Sequence, residues 1–317
     1  MLRGIYSYIS NFNSLVLLVT LVLGFLLFST LFGILVLVPF FGSGILTLLS
    51  VPDYNDPSVI AAMKVLQIMN MAGGLLLPAV LYLWLVTPDD EKLVGFHRMD
   101  SPMLIVLSVI LVLLAQPLIG WSAELNNLLS MPKWLSCVEK WMKDAETQGQ
   151  VITDAFLATT SASGLAVNIF MIAILPAFAE ELLFRGVLAS LFKKWTNNIH
   201  IAACLSAIIF AAIHLQFYGF LPRFLLGAAF AYLFFWSGSL WLPIAAHFTN
   251  NLLSVVVEFL FRKGIISTNA ENFGTDNEMW LTLISIVGVV GIMFFIYNAS
   301  KAANKRNADD TDLEGLH

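Results

Sequence analysis

Eight apolar runs constrain the fold of this chain more than any other feature of its sequence. A helix of about 20 apolar residues spans the hydrocarbon core of a bilayer, where the backbone must satisfy its own hydrogen bonds. Hydrophobic residues make up 59% of the chain and charged residues 12%, whereas about 25% of residues are charged in soluble proteins. The sequence therefore predicts an all-α polytopic membrane protein, a bundle of about eight transmembrane helices over residues 14–41, 58–87, 102–121, 165–192, 200–214, 219–235, 240–260 and 280–298.

The chain divides into three predicted parts: residues 1–150, residues 151–300 and a polar tail, 301–317. The first part holds three spans and an external loop. In that loop the sequence WLSCVEKWM places its apolar side chains on one helical face, which predicts a short helix lying at the membrane interface. An ordinary surface helix has the same composition, so both interpretations stay open. The polar stretches are too short to bury an independent soluble core.

Lys and Arg concentrate in cytoplasmic loops, and their distribution predicts the orientation. Eight crossings put one group of them on the side of both termini: Arg3, Lys92, Arg98, Lys193, Lys194, Lys301, Lys305 and Arg306. We therefore expect both termini in the cytoplasm. The compact size, without eukaryotic targeting signals, favours a bacterial inner membrane. The net charge of −5, with no basic stripe, makes the lipid bilayer the expected partner and excludes nucleic acid as a partner.

The segment PAFAEELLFRG, residues 176–186, carries three charges inside an apolar run. Each charge at a bilayer centre costs roughly 2.5–3.5 kcal/mol on insertion scales, so something must offset that cost. Glu181 and Arg185 are four residues apart and can form an intrahelical ion pair. Glu180 leaves the helix about 100° away from Glu181, without a local cation. An ionisable group placed this way in a membrane predicts a functional site.

Two later runs carry polar side chains that can meet Glu180. FAAIHL puts Phe210 and His214 on a common face, and HFTNN puts His247 and Asn251 one turn apart. A carboxylate, two imidazoles and an amide thus occur on three separate apolar helices. This combination of groups suits peptide hydrolysis.

Two forms of that chemistry stay open from the residues. Glu180 and His214 can hold and deprotonate a water molecule, while His247 and Asn251 donate hydrogen bonds to the developing oxyanion. Alternatively Glu180, His214 and His247 can hold a zinc ion, since three protein ligands and a water form the usual catalytic zinc site. The zinc-peptidase sequence H-E-x-x-H is absent from the chain.

Three motifs in order resemble those of the CAAX prenyl endopeptidase and bacteriocin-processing family of intramembrane proteases. They are E-E-x-x-x-R at Glu180, Glu181 and Arg185, F-x-x-x-H at Phe210 and His214, and H-x-x-x-N at His247 and Asn251. The resemblance covers residues 165–260. It implies a helical bundle with an intramembrane catalytic cavity open to the membrane or cytoplasm. It also implies endopeptidase activity on a membrane-attached substrate, prenylated or of bacteriocin type.

The resemblance also implies roles for single residues. Glu180 would activate the water with His214 as its partner, and His247 with Asn251 would stabilise the transition state. Members of this family have been considered both as metallopeptidases and as glutamate-dependent enzymes, so a zinc cofactor stays open there too.

Less specific interpretations accompany these roles. Glu181 and Arg185 can be a buried pair that fixes packing rather than assists catalysis, Phe210 can be core packing or substrate contact, and Asn251 can be an interhelical hydrogen bond. At the level of the whole chain, a proton- or ion-coupled transporter and a non-catalytic membrane scaffold are the alternatives to a protease.

Overall fold

The computed structural model describes residues 3–88, 95–96, 101–128, 131–269 and 279–314, and within these ranges the secondary structure is helical, without strands. Lys92 and Arg98, which contribute to the predicted orientation, lie outside the described residues. The predicted all-α fold is confirmed. Its α-helices are α1 Asn11–Phe41, α2 Ile45–Ser50, α3 Pro57–Met69, α4 Leu77–Val86, α5 Pro102–Asn127, α6 Ser136–Leu157, α7 Ala162–Asn168, α8 Leu175–Glu181, α9 Ser190–Thr196, α10 Ile199–Ala212, α11 Phe220–Ser237, α12 Trp241–Arg262 and α13 Met279–Glu314.

In the described part of the chain, seven helical segments are long and apolar enough to cross a membrane, which makes this an integral membrane protein. They correspond to seven of the eight predicted spans. The remaining predicted span, residues 200–214, corresponds to α10, whose 14 residues extend about 21 Å. That is shorter than the ~30 Å hydrocarbon core. The helix ends there because the chain turns sharply, with Leu215 at a positive φ of 53°.

Two of the long segments are interrupted by π-helical turns. Asn70–Leu76 joins α3 to α4, and Ile169–Ile174 joins α7 to α8. Each interruption precedes a Leu-Pro-Ala sequence, and a proline has no N–H to donate to the carbonyl four residues earlier. The helix therefore widens locally, and carbonyl groups become free to accept hydrogen bonds from other helices.

These two broken segments run parallel and in contact. Near their first ends, Lys64 Nζ donates to Asn168 Oδ1 at 2.8 Å. Two to three turns later Met71 packs with Leu175 and Ala179. The N-terminal part of the chain is thereby packed directly against the segment that carries Glu180.

The amphipathic loop helix, α6, is longer than the sequence predicted and lies across one end of the bundle. The ring of Trp141 contacts that of Phe217, with centroids 5.2 Å apart. Glu146 Oε2 accepts a hydrogen bond from the backbone N–H of Tyr218 at 3.1 Å. The predicted division of the chain at residue 150 falls inside this helix, which joins the N-terminal part to the core.

Candidate active site

The paired glutamates lie at the centre of the packed core. Glu180 and Glu181 end α8, and Arg185 lies in the π-helical segment Leu182–Ala189 that follows. All three residues are buried: Glu181 and Arg185 have no exposed surface, and 7% of the Glu180 surface is exposed. Buried charges are costly unless paired, so their contacts decide what this segment can do.

Glu181 and Arg185 form the ion pair that their spacing predicted. Arg185 Nη1 lies 2.7 Å from Glu181 Oε1. The other terminal nitrogen, Nη2, donates to the carbonyl of Gly227 in α11 at 3.1 Å. The guanidinium carbon also lies over the rings of Phe210 and Phe230, at 4.6 and 5.4 Å from their centroids. Arg185 therefore ties three helical segments together from inside the bundle.

His247 lies between the two glutamates. Its Nδ1 lies 2.7 Å from Glu181 Oε1, and its Nε2 lies 3.8 Å from Glu180 Oε2. The ring stacks on Phe230, with centroids 5.6 Å apart and planes 26° apart. Because a carboxylate only accepts, Nδ1 carries the hydrogen of the shorter contact. The other nitrogen is then held towards Glu180, in the manner of an imidazole oriented by a carboxylate.

His214 follows the last turn of α10, in the turn before α11. Its Nδ1 donates to the carbonyl oxygen of Phe210 at 2.7 Å. The two rings also meet edge to face, with centroids 5.1 Å apart. With Nδ1 committed to this bond, Nε2 is the nitrogen left to hold a ligand. Phe210 thus fixes His214 by both its backbone and its ring, which agrees with the predicted packing role.

Asn251, the predicted oxyanion donor, makes a contact between helical segments through its side-chain amide. Its Nδ2 donates to the carbonyl of Ile172 at 2.9 Å. That carbonyl has no α-helical donor, because the residue four positions later is Pro176. Asn251 therefore supplies the hydrogen bond that the proline removes, and it links α12 to the broken segment. This is the interhelical role that the sequence left as an alternative.

A cavity of about 360 Å³ joins these groups. Of the predicted site residues, Glu180, Phe210, His214, His247 and Asn251 line it. The Glu181–Arg185 pair lies behind this wall, where Glu181 contacts His247 and Arg185 lies against Phe210 and Phe230, three residues that line the cavity.

Several cavity residues were missed at the level of sequence. The described residues that line it also include Gln67 and Met71 from the N-terminal part, Ile152, Thr153 and Phe156 from α6, and Asn250 and Arg223. Arg223 had a signal, since it is a charge within an apolar run. The residues of α6 carried no such signal, because the local sequence of this helix does not determine which part of the bundle it packs against.

The same geometry tests the zinc alternative. In the part of the chain that the structure describes, no group of three His, Cys, Asp or Glu side chains lies close enough to hold a metal ion. Glu180 and His247 approach each other, but His214 does not complete a set with them. The predicted ligands Glu180, His214 and His247 thus do not fit a zinc site as arranged, and no catalytic step is assigned to a metal.

Comparisons with known proteins find a family match over the segment that contains Glu180, His214 and His247. Residues 162–253 match the family Type II CAAX prenyl endopeptidase Rce1-like. This segment is therefore similar to that family. The predicted family resemblance is confirmed there, and the segment contains all three sequence motifs. Over 85 residues the chain is also 35% identical to Uncharacterized protein YpbD from Bacillus subtilis (strain 168), a match that covers 26% of this chain and 40% of that relative. No solved structure matches the chain.

Proposed function

We propose that this protein is an intramembrane endopeptidase that hydrolyses a peptide bond in a membrane-attached peptide or protein. One observation carries the proposal: Glu180 of α8, His214 of the turn after α10 and His247 of α12 line one cavity within the segment that matches the Rce1-like family. The cavity volume of about 360 Å³ lies at the small end of the range for ligand sites, which is about 300–1,000 Å³. It suits a short extended segment, from a prenylated or bacteriocin-type substrate.

Glu180 is the proposed general base. In the proposed mechanism its carboxylate and His214 Nε2 together hold a water molecule in the cavity that both residues line. As the water oxygen attacks the carbonyl carbon of the substrate, its proton passes to Glu180. When the C–N bond breaks, Glu180 returns that proton to the leaving amine. A positioned acid–base group of this kind contributes about 10²- to 10⁴-fold to the rate.

His247 is the proposed donor to the oxyanion, acting through Nε2 when that nitrogen carries a proton. Glu181 is a positioning residue, since its contact with Nδ1 holds the imidazole towards Glu180. Arg185 in turn fixes Glu181. Asn251 positions α12 against the broken segment through Ile172.

A cleavage assay tests this proposal. Purified protein in lipid nanodiscs would be given a fluorogenic peptide with a lipid anchor, and Glu180→Gln and His214→Ala would be compared with wild type. We expect each variant to lose at least about a hundredfold in rate with an unchanged melting temperature. Glu139→Gln, on α6 and outside the cavity, is the matched control. Cleavage by Glu180→Gln at the wild-type rate would refute the assignment.

The same assay tests the zinc alternative. Since the described residues present no three-ligand group, we expect wild-type cleavage to survive dialysis against EDTA and 1,10-phenanthroline. Loss of cleavage that returns on adding zinc would contradict this expectation, and it would require a rearranged Glu180, His214 and His247.

A second candidate is proton-coupled transport. The observation that favours it is the matched interruption of two adjacent helices before Leu-Pro-Ala, because broken helices often line transport sites. Proton flux in liposomes that depends on Glu180, without peptide cleavage, would establish it. A non-catalytic scaffold would show neither activity.

We also propose that both termini are cytoplasmic, in a bacterial inner membrane, with α10 and the turn after it carrying the chain back between the two ends of the bundle as the eighth passage. The cavity lies towards the end of the bundle that α6 covers, whereas Lys193 and Lys194 lie at the far end of the same broken segment. In this orientation α6 and the adjoining end of the cavity face the non-cytoplasmic side.

A further inference from the structure

Arg223 is a second charged group of the cavity, and the mechanism above does not use it. It lies one turn into α11 and is the lone Lys or Arg among the described residues that line the cavity. Its Nη1 donates to the backbone carbonyl of Gln216 at 3.1 Å, and its Nη2 donates to the side-chain Oε1 of the same residue. Both acceptors are neutral oxygens, so these bonds orient the guanidinium without neutralising it.

The contrast with Arg185 shows that this arrangement is unusual for a half-buried cation in the membrane. Arg185 is fully buried and has a carboxylate at 2.7 Å. Arg223 has no ion pair within the part of the chain that the structure describes, and Glu146 and Glu180 act on it from longer range. Glu146 is held on α6 by the N–H of Tyr218. A guanidinium that lies beside a cavity without an ion-pair partner favours the binding of an anionic ligand.

The turn that carries Arg223 is held rigidly. Buried Asn126 at the end of α5 donates to the carbonyl of Phe217 at 2.8 Å and accepts from the N–H of Leu221 at 2.9 Å. Gly219 lies directly under the guanidinium, and a Cβ at that position would overlap Nη1. The glycine therefore makes room for the side chain, and the amide clamp fixes the backbone around it. Such preorganisation is typical of a binding group.

We propose that Arg223 binds a carboxylate of the substrate, and thereby selects peptides that carry one close to the cleaved bond. This inference rests on the proposed function and defines its substrate class. A guanidinium presents paired donors that match a carboxylate. A monoanionic carboxylate also suits the cavity better than a doubly charged phosphate, because Glu180 lines the same space and repels negative charge. The carboxylate can belong to the C-terminus of the substrate or to an Asp or Glu side chain.

Binding measurements test the proposal independently of turnover. Three lipid-anchored fluorescent decapeptides would be titrated against the Glu180→Gln protein in nanodiscs: one with a free C-terminal carboxylate, one with a C-terminal amide, and one amide with an internal Glu. We expect the carboxylate forms to bind about tenfold to a hundredfold more tightly than the uncharged amide, the range expected for a hydrogen-bonded charged group. Whichever carboxylate form binds identifies the source of the charge.

Adding Arg223→Gln to the Glu180→Gln background should remove this preference and leave the amide peptide unaffected. Gly219→Ala should reduce the preference while keeping the charge, because it displaces the guanidinium. Arg262→Gln, at the same end of the bundle but outside the cavity, is the matched control and should leave the preference intact.

The outcomes separate this inference from the proposed function. Equal binding of all three peptides by the Glu180→Gln protein would overturn the role of Arg223, even if the wild type cleaves them. This comparison of the three peptides uses the Glu180→Gln protein with Arg223 unchanged. It therefore remains valid even if Arg223→Gln fails to fold. A carboxylate preference that disappears with Arg223→Gln supports the inference even if wild-type protein cleaves none of the peptides, a result that would refute the endopeptidase proposal alone.

Discussion

Replacing Arg185 by Met should destabilise the protein strongly, because it leaves the Glu181 carboxylate in the core without its cation. Both side chains have no exposed surface, and their contact distance is 2.7 Å. Breaking a buried pair by removing one partner costs roughly 3–5 kcal/mol. For a chain of 317 residues, at about 1.5 °C of melting temperature per kcal/mol, the loss corresponds to about 5–8 °C.

The second half of this prediction concerns the double variant Glu181→Leu/Arg185→Met. Removing both charges together leaves no unpaired ion, and apolar replacements of a buried pair are often close to neutral. His247 then loses the acceptor for Nδ1, which costs about 1–3 kcal/mol. We therefore expect the double variant to be more stable than Arg185→Met alone.

Thermal unfolding in detergent micelles, followed by near-ultraviolet circular dichroism, measures these differences. The chain provides a matched control in Glu258 and Arg262, which have the same spacing and a contact of 2.7 Å, but with 31% of the Arg262 side chain exposed. Arg262→Met should cost less than Arg185→Met, because water reaches the Arg262 side of this pair even though Glu258 is itself buried. Equal melting temperatures for Arg185→Met and Arg262→Met, or simply additive effects of the two core substitutions, would contradict this prediction.

Two further predictions follow from the site. Asn251→Ala should lower stability by about 1–3 kcal/mol, because the carbonyl of Ile172 loses its donor. It should slow cleavage less than tenfold, whereas removing a true oxyanion donor costs about 10²- to 10³-fold, so a loss of that size would restore the catalytic assignment. In a protein with Cys137 and Cys204 replaced by Ser, a cysteine at Thr153 should react with a membrane-impermeant maleimide added to intact cells. Labelling only after the cells are opened would reverse the proposed orientation.

Hydropathy was sufficient to predict the membrane fold, because seven of the eight apolar runs form helices long enough to span a bilayer without help from their neighbours. The single exception shows the limit of that argument. Residues 200–214 are as apolar as the other runs, yet α10 stops at Ala212, where packing and the turn through Leu215 end it. Span count therefore depended on tertiary contacts that hydropathy does not contain.

Within the site, the sequence predicted contacts between residues that are close along the chain. The pair of Glu181 with Arg185 follows from helical spacing alone, and the structure contains it. The position of His247 against Glu181 joins residues 66 positions apart, so only the folded bundle determines it.

The sequence by itself thus determined which segments enter the membrane and which of them carry charge, since these properties depend on single residues and on helical periodicity. Tertiary structure decided what those charges meet. The packed bundle pairs the Asn251 side chain with the carbonyl of Ile172, which lacks an α-helical donor because of Pro176. It also places α6 and Arg223 beside the cavity. The physical reason is that a polar group buried in a membrane must find a partner, and that partner comes from whichever helix packing brings within hydrogen-bonding distance.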